Sequence, residues 1–167
     1  MSTVLSVPIY VLSPSARMSG PCVGVVEIRP YRAYHAPKST PGIVFSVHIV
    51  HAPLGAGVHG FHIHANPDLR PTVEKGKLML GGAAGPHFDP QHTGMHLGPY
   101  AAGHLGDLPA LTFDARGNCM ESVYAPRLRM SDVRERALII HHGPDNYSDY
   151  PEVNGGSCDR RLGGVIP

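Results

Sequence analysis

Hydrophobic and polar positions alternate along several short stretches of the chain. In residues 42–50, Phe45, Val47 and Ile49 take one side while Ser46, His48 and Val50 take the other, the period of a half-buried strand. Near the N-terminus Leu5, Val7, Ile9 and Val11 alternate with Val4, Ser6, Pro8 and Tyr10 in the same way. The pattern predicts strands over 4–12, 22–29, 42–50, 58–65, 108–114, 119–125, 137–142 and 162–166. Asp114-Ala115-Arg116-Gly117-Asn118 separates two of these runs and reads as a hairpin loop. One stretch, SDVRERAL at 131–138, reads as helix, with Ser131 as its N-cap. Eight short strands punctuated by Gly and Pro indicate an all-β sandwich or barrel.

Two long segments interrupt this rhythm, 66–107 and 143–161. Loops of that length in a compact domain are usually functional or disordered, so chemistry is expected there. The first contains GPHFDPQHTGMHLGP, residues 85–99, which places three imidazoles in a stretch with neither helical nor strand period. A flexible, solvated loop is one reading of it. A loop shaped by a bound metal ion is the other.

Composition narrows the choice. At 167 residues, 42% hydrophobic and 16% charged, the chain reads as one domain, 1–167, able to bury a core. A formal charge of +1 offers no footprint for nucleic acid or an anionic membrane surface, and no apolar run approaches the ~20 residues of a membrane span. Twelve histidines nearly equal the 14 lysines and arginines, an unusual weight of imidazole. Cys22, Cys119 and Cys158 lie in no metal-type spacing, and one of the three must be unpaired within a monomer. With no basic segment ahead of the first apolar run, a cytoplasmic location is expected, where disulfides are not needed.

His62-Ile63-His64 ends a predicted strand, and residues two apart on a strand share a face, so both rings can reach one ion. The strand before GPDNYSD supplies His141. His87, His96, His104 and Asp107 could form a three-nitrogen, one-oxygen zinc site from a single loop. His62, His64 and His141 could form an all-nitrogen copper site with a fourth ligand shared from that loop.

These motifs carry a resemblance. GFHIHANPD, GPHFDPQHTGMHLGPYAAGHLGDLPAL, APRL and ALIIHHGPDNYSDYPEVNGGS are similar to the copper–zinc superoxide dismutases, particularly the bacterial branch, over about residues 57–166. The resemblance implies an eight-stranded antiparallel Greek-key barrel. It also implies dismutation of superoxide to O₂ and H₂O₂ by a redox-cycling copper, bridged through a histidine to a structural zinc. His62, His64, His87 and His141 match the copper ligands; His87, His96, His104 and Asp107 match the zinc ligands, with His87 as the bridge. Asp145 matches the carboxylate linking His96 to His62, and His59 a histidine beneath the site. Arg160 matches the arginine that receives the superoxide anion, and Lys75 and Lys77 could add positive potential nearby. A homodimer stays open, because members of the family pair through different surfaces.

The pattern breaks in one place. The two positions that the resemblance assigns to an intramolecular disulfide hold Leu69 and Gly163. Both halves are missing together, in keeping with a reducing compartment, and other contacts must then hold the loop. That gap sustains a rival reading, a non-catalytic relative that stores or delivers copper or zinc or binds a protein. A zinc hydrolase fits poorly, because the zinc set is already full with four protein ligands and no carboxylate is left to act as base. His35, His48, His51, His92 and His142 match no ligand position; Asp89 and Asp149 stay unassigned. Tyr31, Tyr34 and His35 lie in PYRAYHAPKSTP, read as an ordinary lengthened loop rather than an aromatic binding patch.

Overall fold

In the computed structural model of the chain, residues 4–17, 19–32, 37, 41–150 and 159–167 are described. Tyr34, His35 and Cys158 lie outside them. The alternating stretches become strands β1 (Leu5–Val11), β2 (Cys22–Pro30) and β3 (Ile43–Ile49). Each buries the residues on one face, as in Leu5, Val7 and Ile9 of β1. Further along come β4 (Gly57–His59), β5 (Phe61–His64), β6 (Thr72–Glu74), β7 (Lys77–Met79), β8 (Leu111–Phe113), β9 (Cys119–Ala125), β10 (Arg136–His141) and β11 (Arg160–Ile166).

Seven strands form one antiparallel sheet in the order β5-β10-β11-β1-β2-β3-β9, with β4 and β8 as a separate pair. Sequence neighbours β1, β2 and β3 form a meander. β3 then pairs with the distant β9, and β11 returns to lie beside β1, the long-connection signature of a Greek key. The sheet closes over an apolar core in which Phe45 and Phe61 meet edge to face with ring centroids 5.7 Å apart.

Four features depart from the sequence reading, each for a physical reason. The strand predicted over 58–65 is broken at Gly60. Its N–H donates to Gly143 and its carbonyl accepts from His141, and a Cβ there would stand 3.2 Å from the His62 ring. The helix predicted over 131–138 is a single turn, Met130–Val133, capped by Arg129 rather than Ser131. The Arg129 N–H donates to the Asp132 carboxylate at 2.7 Å. Ala137, Leu138, Ile139 and Ile140 are all fully buried, so sheet packing overrides local helix propensity. The segment 66–107 also holds a small hairpin, β6–β7, whose turn residues Lys75 and Gly76 both have positive φ. Finally, Lys77 lies 3.6 Å from Asp159, so part of its charge is locally paired. Tyr31 rests against Tyr124 with centroids 4.5 Å apart, ordinary packing for that loop.

No helix among the described residues is long and apolar enough to cross a membrane. Cys22, exposed, and Cys119, buried, are free thiols.

Candidate metal centre

The site is built on β5, the terminal strand of the large sheet. One edge of β5 pairs with β10, placing His62 opposite Ile139 and His64 opposite Ala137. The other edge would be an open row of polar backbone groups. Instead the long loop folds along it: Ile63 N–H donates to Gly106, Phe88 N–H to Ile63 and Ala65 N–H to Pro86. The loop has no period because its backbone is pinned piecewise to a strand edge. All four residues of β5 are buried, Phe61 and Ile63 in the core and His62 and His64 under the loop.

This arrangement gathers the imidazoles. His87 sits centrally, its ring 4.1 Å from that of His62, 4.8 Å from His64 and 5.2 Å from both His96 and His104. His62, His64, His87 and His141 each offer a nitrogen within 4.8 Å of the others; in a second group of the same tightness His62, His87 and His96 offer nitrogens and Asp107 a carboxylate oxygen. His62 thus stands in the second geometric group where the sequence reading has His104. His104 remains at the edge of that cluster, with Nδ1 3.5 Å from Asp107 Oδ1.

Hydrogen bonding shows which atoms point inward. His62 Nε2 meets Asp145 Oδ2 at 2.6 Å, and His96 Nε2 meets Asp145 Oδ1 at 2.7 Å. His64 Nδ1 meets the Gly85 carbonyl at 2.8 Å. On each of these rings one nitrogen is held by an oxygen. The other, His62 Nδ1 or His64 Nε2, is buried without a hydrogen bond, while His96 Nδ1 and His104 Nδ1 are buried facing the Asp107 carboxylate at 3.0 and 3.5 Å. Buried polar atoms are rarely left so, and one tied nitrogen opposite one bare nitrogen is how metal-binding histidines are oriented. Because His62 has its Nε2 committed to Asp145, it can serve only one ion. His87 Nδ1 lies 2.9 Å from Asp107 Oδ1, and that ring lies between the two groups.

Electrostatics agree with a cation-binding centre. Burial, then the neighbouring His62, push His87 down to about 3, against the pull of Asp107. Burial, then His87, Arg160 and His141, hold His64 well below the usual imidazole range. Both rings are neutral and able to donate lone pairs. Burial pulls His96 down as well, but the Asp107 and Asp145 carboxylates prevail and raise it to about 10. Burial also works against ionisation of those two carboxylates, yet the surrounding imidazoles keep both far below the ordinary carboxyl range. The neutral nitrogens of His64 and His87 beside buried anionic oxygens are a donor set for copper and zinc, His96 giving up its proton when a metal binds, and the residues present fit both ions.

Around this centre His59 bridges the backbone, with Nδ1 3.0 Å from the His141 carbonyl and Nε2 2.9 Å from that of Gly55. Arg160, at the start of β11, donates through Nη1 to Gly81 O at 2.6 Å and through Nη2 to Gly85 O at 2.8 Å. The Gly85 carbonyl therefore serves both His64 and Arg160. His48, His51, His92 and His142 are all exposed.

Several contributors escape a sequence reading. Asp149 accepts the His96 N–H at 3.1 Å, Asp89 accepts from Gly94 N–H at 2.8 Å within the loop, and Arg127 donates to the Gly103 and His104 carbonyls. The APRL motif contains Arg127 and is the one sequence signal among them.

Residues 24–166 match the model of a protein family described as copper/zinc superoxide dismutase (SODC). "Superoxide dismutase [Cu-Zn] 2" of Salmonella typhimurium is 48% identical over 126 residues, covering 75% of this chain and 72% of that protein. A solved Cu/Zn superoxide dismutase from Brucella abortus superposes with a TM-score of 0.85 at 38% identity, covering 99% of this chain and all of the other. The solution structure of the monomeric copper, zinc superoxide dismutase from Salmonella enterica gives 0.75 at 39% identity, with the same coverage.

Proposed function

The chain belongs to the copper/zinc superoxide dismutase family, and from that premise we infer that it converts two superoxide anions and two protons into O₂ and H₂O₂. The observation that carries the reading is the pair of buried imidazoles, His62 and His64, with one nitrogen tied and the other bare beside the central His87. His62, His64, His87 and His141 would hold copper; His87, His96, His104 and Asp107 would hold zinc. When bound, copper supplies the one-electron exchange and zinc a fixed positive charge.

The chain's own residues do the rest. Arg160 is a permanent cation whose two carbonyl acceptors fix its plane, so a small anion meets an oriented guanidinium. Asp145 fixes His62 and His96 at once and so sets the spacing between the two halves of the centre. His87, neutral and central, has a nitrogen for each side and can take up or release a proton there. His59 ties the His141 carbonyl to Gly55 and steadies the β10 end of the site.

The paired replacement of the disulfide positions by Leu69 and Gly163 supports work in a reducing, cytoplasmic setting, as an antioxidant enzyme independent of thiol oxidation. Light scattering on the metal-loaded protein would separate monomer from homodimer.

The deciding experiment is the rate of superoxide loss with one copper and one zinc bound, under reducing conditions, compared with Arg160→Ala. A fast rate that falls clearly in the variant is expected. A rate no better than the variant's, with both metals shown to be bound, would establish the non-catalytic metal-binding relative instead.

A further inference from the structure

Gly163 lies on β11, three residues beyond Arg160. A Cβ built there would stand 2.9 Å from Leu69 Cδ2 and 3.1 Å from both Ile139 Cδ1 and Leu12 Cδ2. Three side-chain tips therefore close on bare backbone, and Leu69 reaches from the long loop onto the sheet.

These residues belong to a small apolar cluster separate from the main core: Leu12, Ala84, Ala137 and Ile139 buried, with Leu69 and Leu80 half-buried against them. Its loop members bracket the acceptors of the guanidinium. Leu80 precedes Gly81, and Ala84 precedes Gly85. Both glycines have positive φ, at 61° and 76°, which turns the backbone at each end of a single 3-10 turn, Gly82–Ala84. Leu12 also touches Gly81 from below, 3.0 Å from where its Cβ would lie. Ala83 N–H donates to the Arg70 carbonyl, tying the turn to the residue beside Leu69.

From this circuit we propose that Leu69, seated on Gly163, is a positioning residue for Arg160: it holds the 80–85 segment so that the Gly81 and Gly85 carbonyls fix the guanidinium. The proposal rests on the reading of Arg160 as the anion-binding group. Removing the Leu69 side chain leaves a void over Gly163 that the bare backbone cannot fill. The turn loses its seat on β11, and Arg160 loses its fixed acceptors while keeping its charge.

The test is the affinity of the copper- and zinc-loaded protein for azide, a small monoanion, read by optical titration and independent of turnover. Leu69→Ala is expected to weaken azide binding about tenfold, the scale of a lost charge-assisted hydrogen bond. Leu69→Met, which conserves volume, should stay within about twofold of the parent. In an Arg160→Ala background, Leu69→Ala should add less than about twofold, because the group it acts through is gone. Should Leu69→Ala fail to fold, Leu69→Val takes its place with a smaller shift in the same direction.

Two outcomes overturn the proposal. One is a lowered melting temperature with azide affinity unchanged, which makes Leu69 packing alone. The other is equal weakening with and without Arg160, which routes the effect elsewhere. A protein that binds azide as expected but does not consume superoxide would defeat the functional reading and leave the positioning role intact.

Discussion

The two walls of the metal centre are held by different kinds of force. On the histidine wall every orientation is set by directional polar contacts. Asp145 spans His62 and His96, Gly85 holds His64, Asp107 meets His87, and the loop backbone is laced to the edge of β5. On the arginine wall the guanidinium meets two carbonyls, and the turn that carries them adds to its backbone hydrogen bonds with Arg70 and Asn66 an apolar contact around a glycine. Directional contacts specify angles and fail one at a time. A packed cluster specifies volume and fails together. The histidine wall relies on the first; the arginine wall combines it with the second.

The largest expected effect comes from cutting the histidine wall at the carboxylate that joins two of its rings. Asp145→Ala frees His62 and His96 together and should weaken metal binding about 10- to 100-fold, as loss of such supporting carboxylates typically does. Chelator competition measures it, and an unchanged affinity would show that the wall does not depend on its directional contacts. Next comes Gly163→Ala, which forces a methyl among the tips of Leu69, Ile139 and Leu12. Overpacking of this kind costs about 1–3 kcal/mol. Thermal melting should show that loss, the added Leu69→Ala change should recover part of it, and zinc affinity should stay as it was. A loss of zinc binding in Gly163→Ala would mean that the two walls are not independent.

The sheet was legible in the sequence because its signal is simple. Strand-long alternation, as in Phe45, Val47 and Ile49, marks a buried face, and most predicted ends lie within two or three residues of the observed ones. The hairpin β6–β7 left no such trace, because its apolar residues Val73 and Leu78 are exposed and carry no period. The helix signal at 131–138 marked one real turn but misplaced its cap, which is Arg129 rather than Ser131, and its second half yielded to the buried apolar residues Ala137–Ile140 of β10. Within the site, the donor side chains can be read from residue type and spacing. The Gly81 and Gly85 carbonyls cannot, because every residue has a carbonyl and only the fold decides which ones converge. Leu69 and Gly163 read as an absent bond; that they touch is a fact of packing between positions 94 apart.

A smaller effect is expected at Arg127, which donates to the carbonyls of Gly103 and His104 at 2.9 and 3.3 Å. Arg127→Ala removes these two contacts from the outer edge of the zinc half and should weaken zinc several-fold, in line with about 1 kcal/mol for a hydrogen bond. Zinc competition would show it, with azide affinity unaffected. The smallest effect separates core from surface. Burial, then Glu121, push the Cys119 thiol up to about 12, so at pH 8 iodoacetamide should leave Cys119 unmodified while labelling the exposed Cys22. Peptide mass mapping reads both sites, and rapid labelling of Cys119 would show that the β9 end of the core opens readily.

The seat of Leu69 on Gly163 also bears on how the protein is made. A covalent staple has to be closed after synthesis by an oxidant, and until then the loop it secures is unfinished. Contact between a leucine and a glycine forms in the same collapse that builds the sheet, with no electron acceptor and no partner enzyme. The seat of Leu69 on Gly163 therefore asks for no thiol oxidation before the loop can close on the sheet.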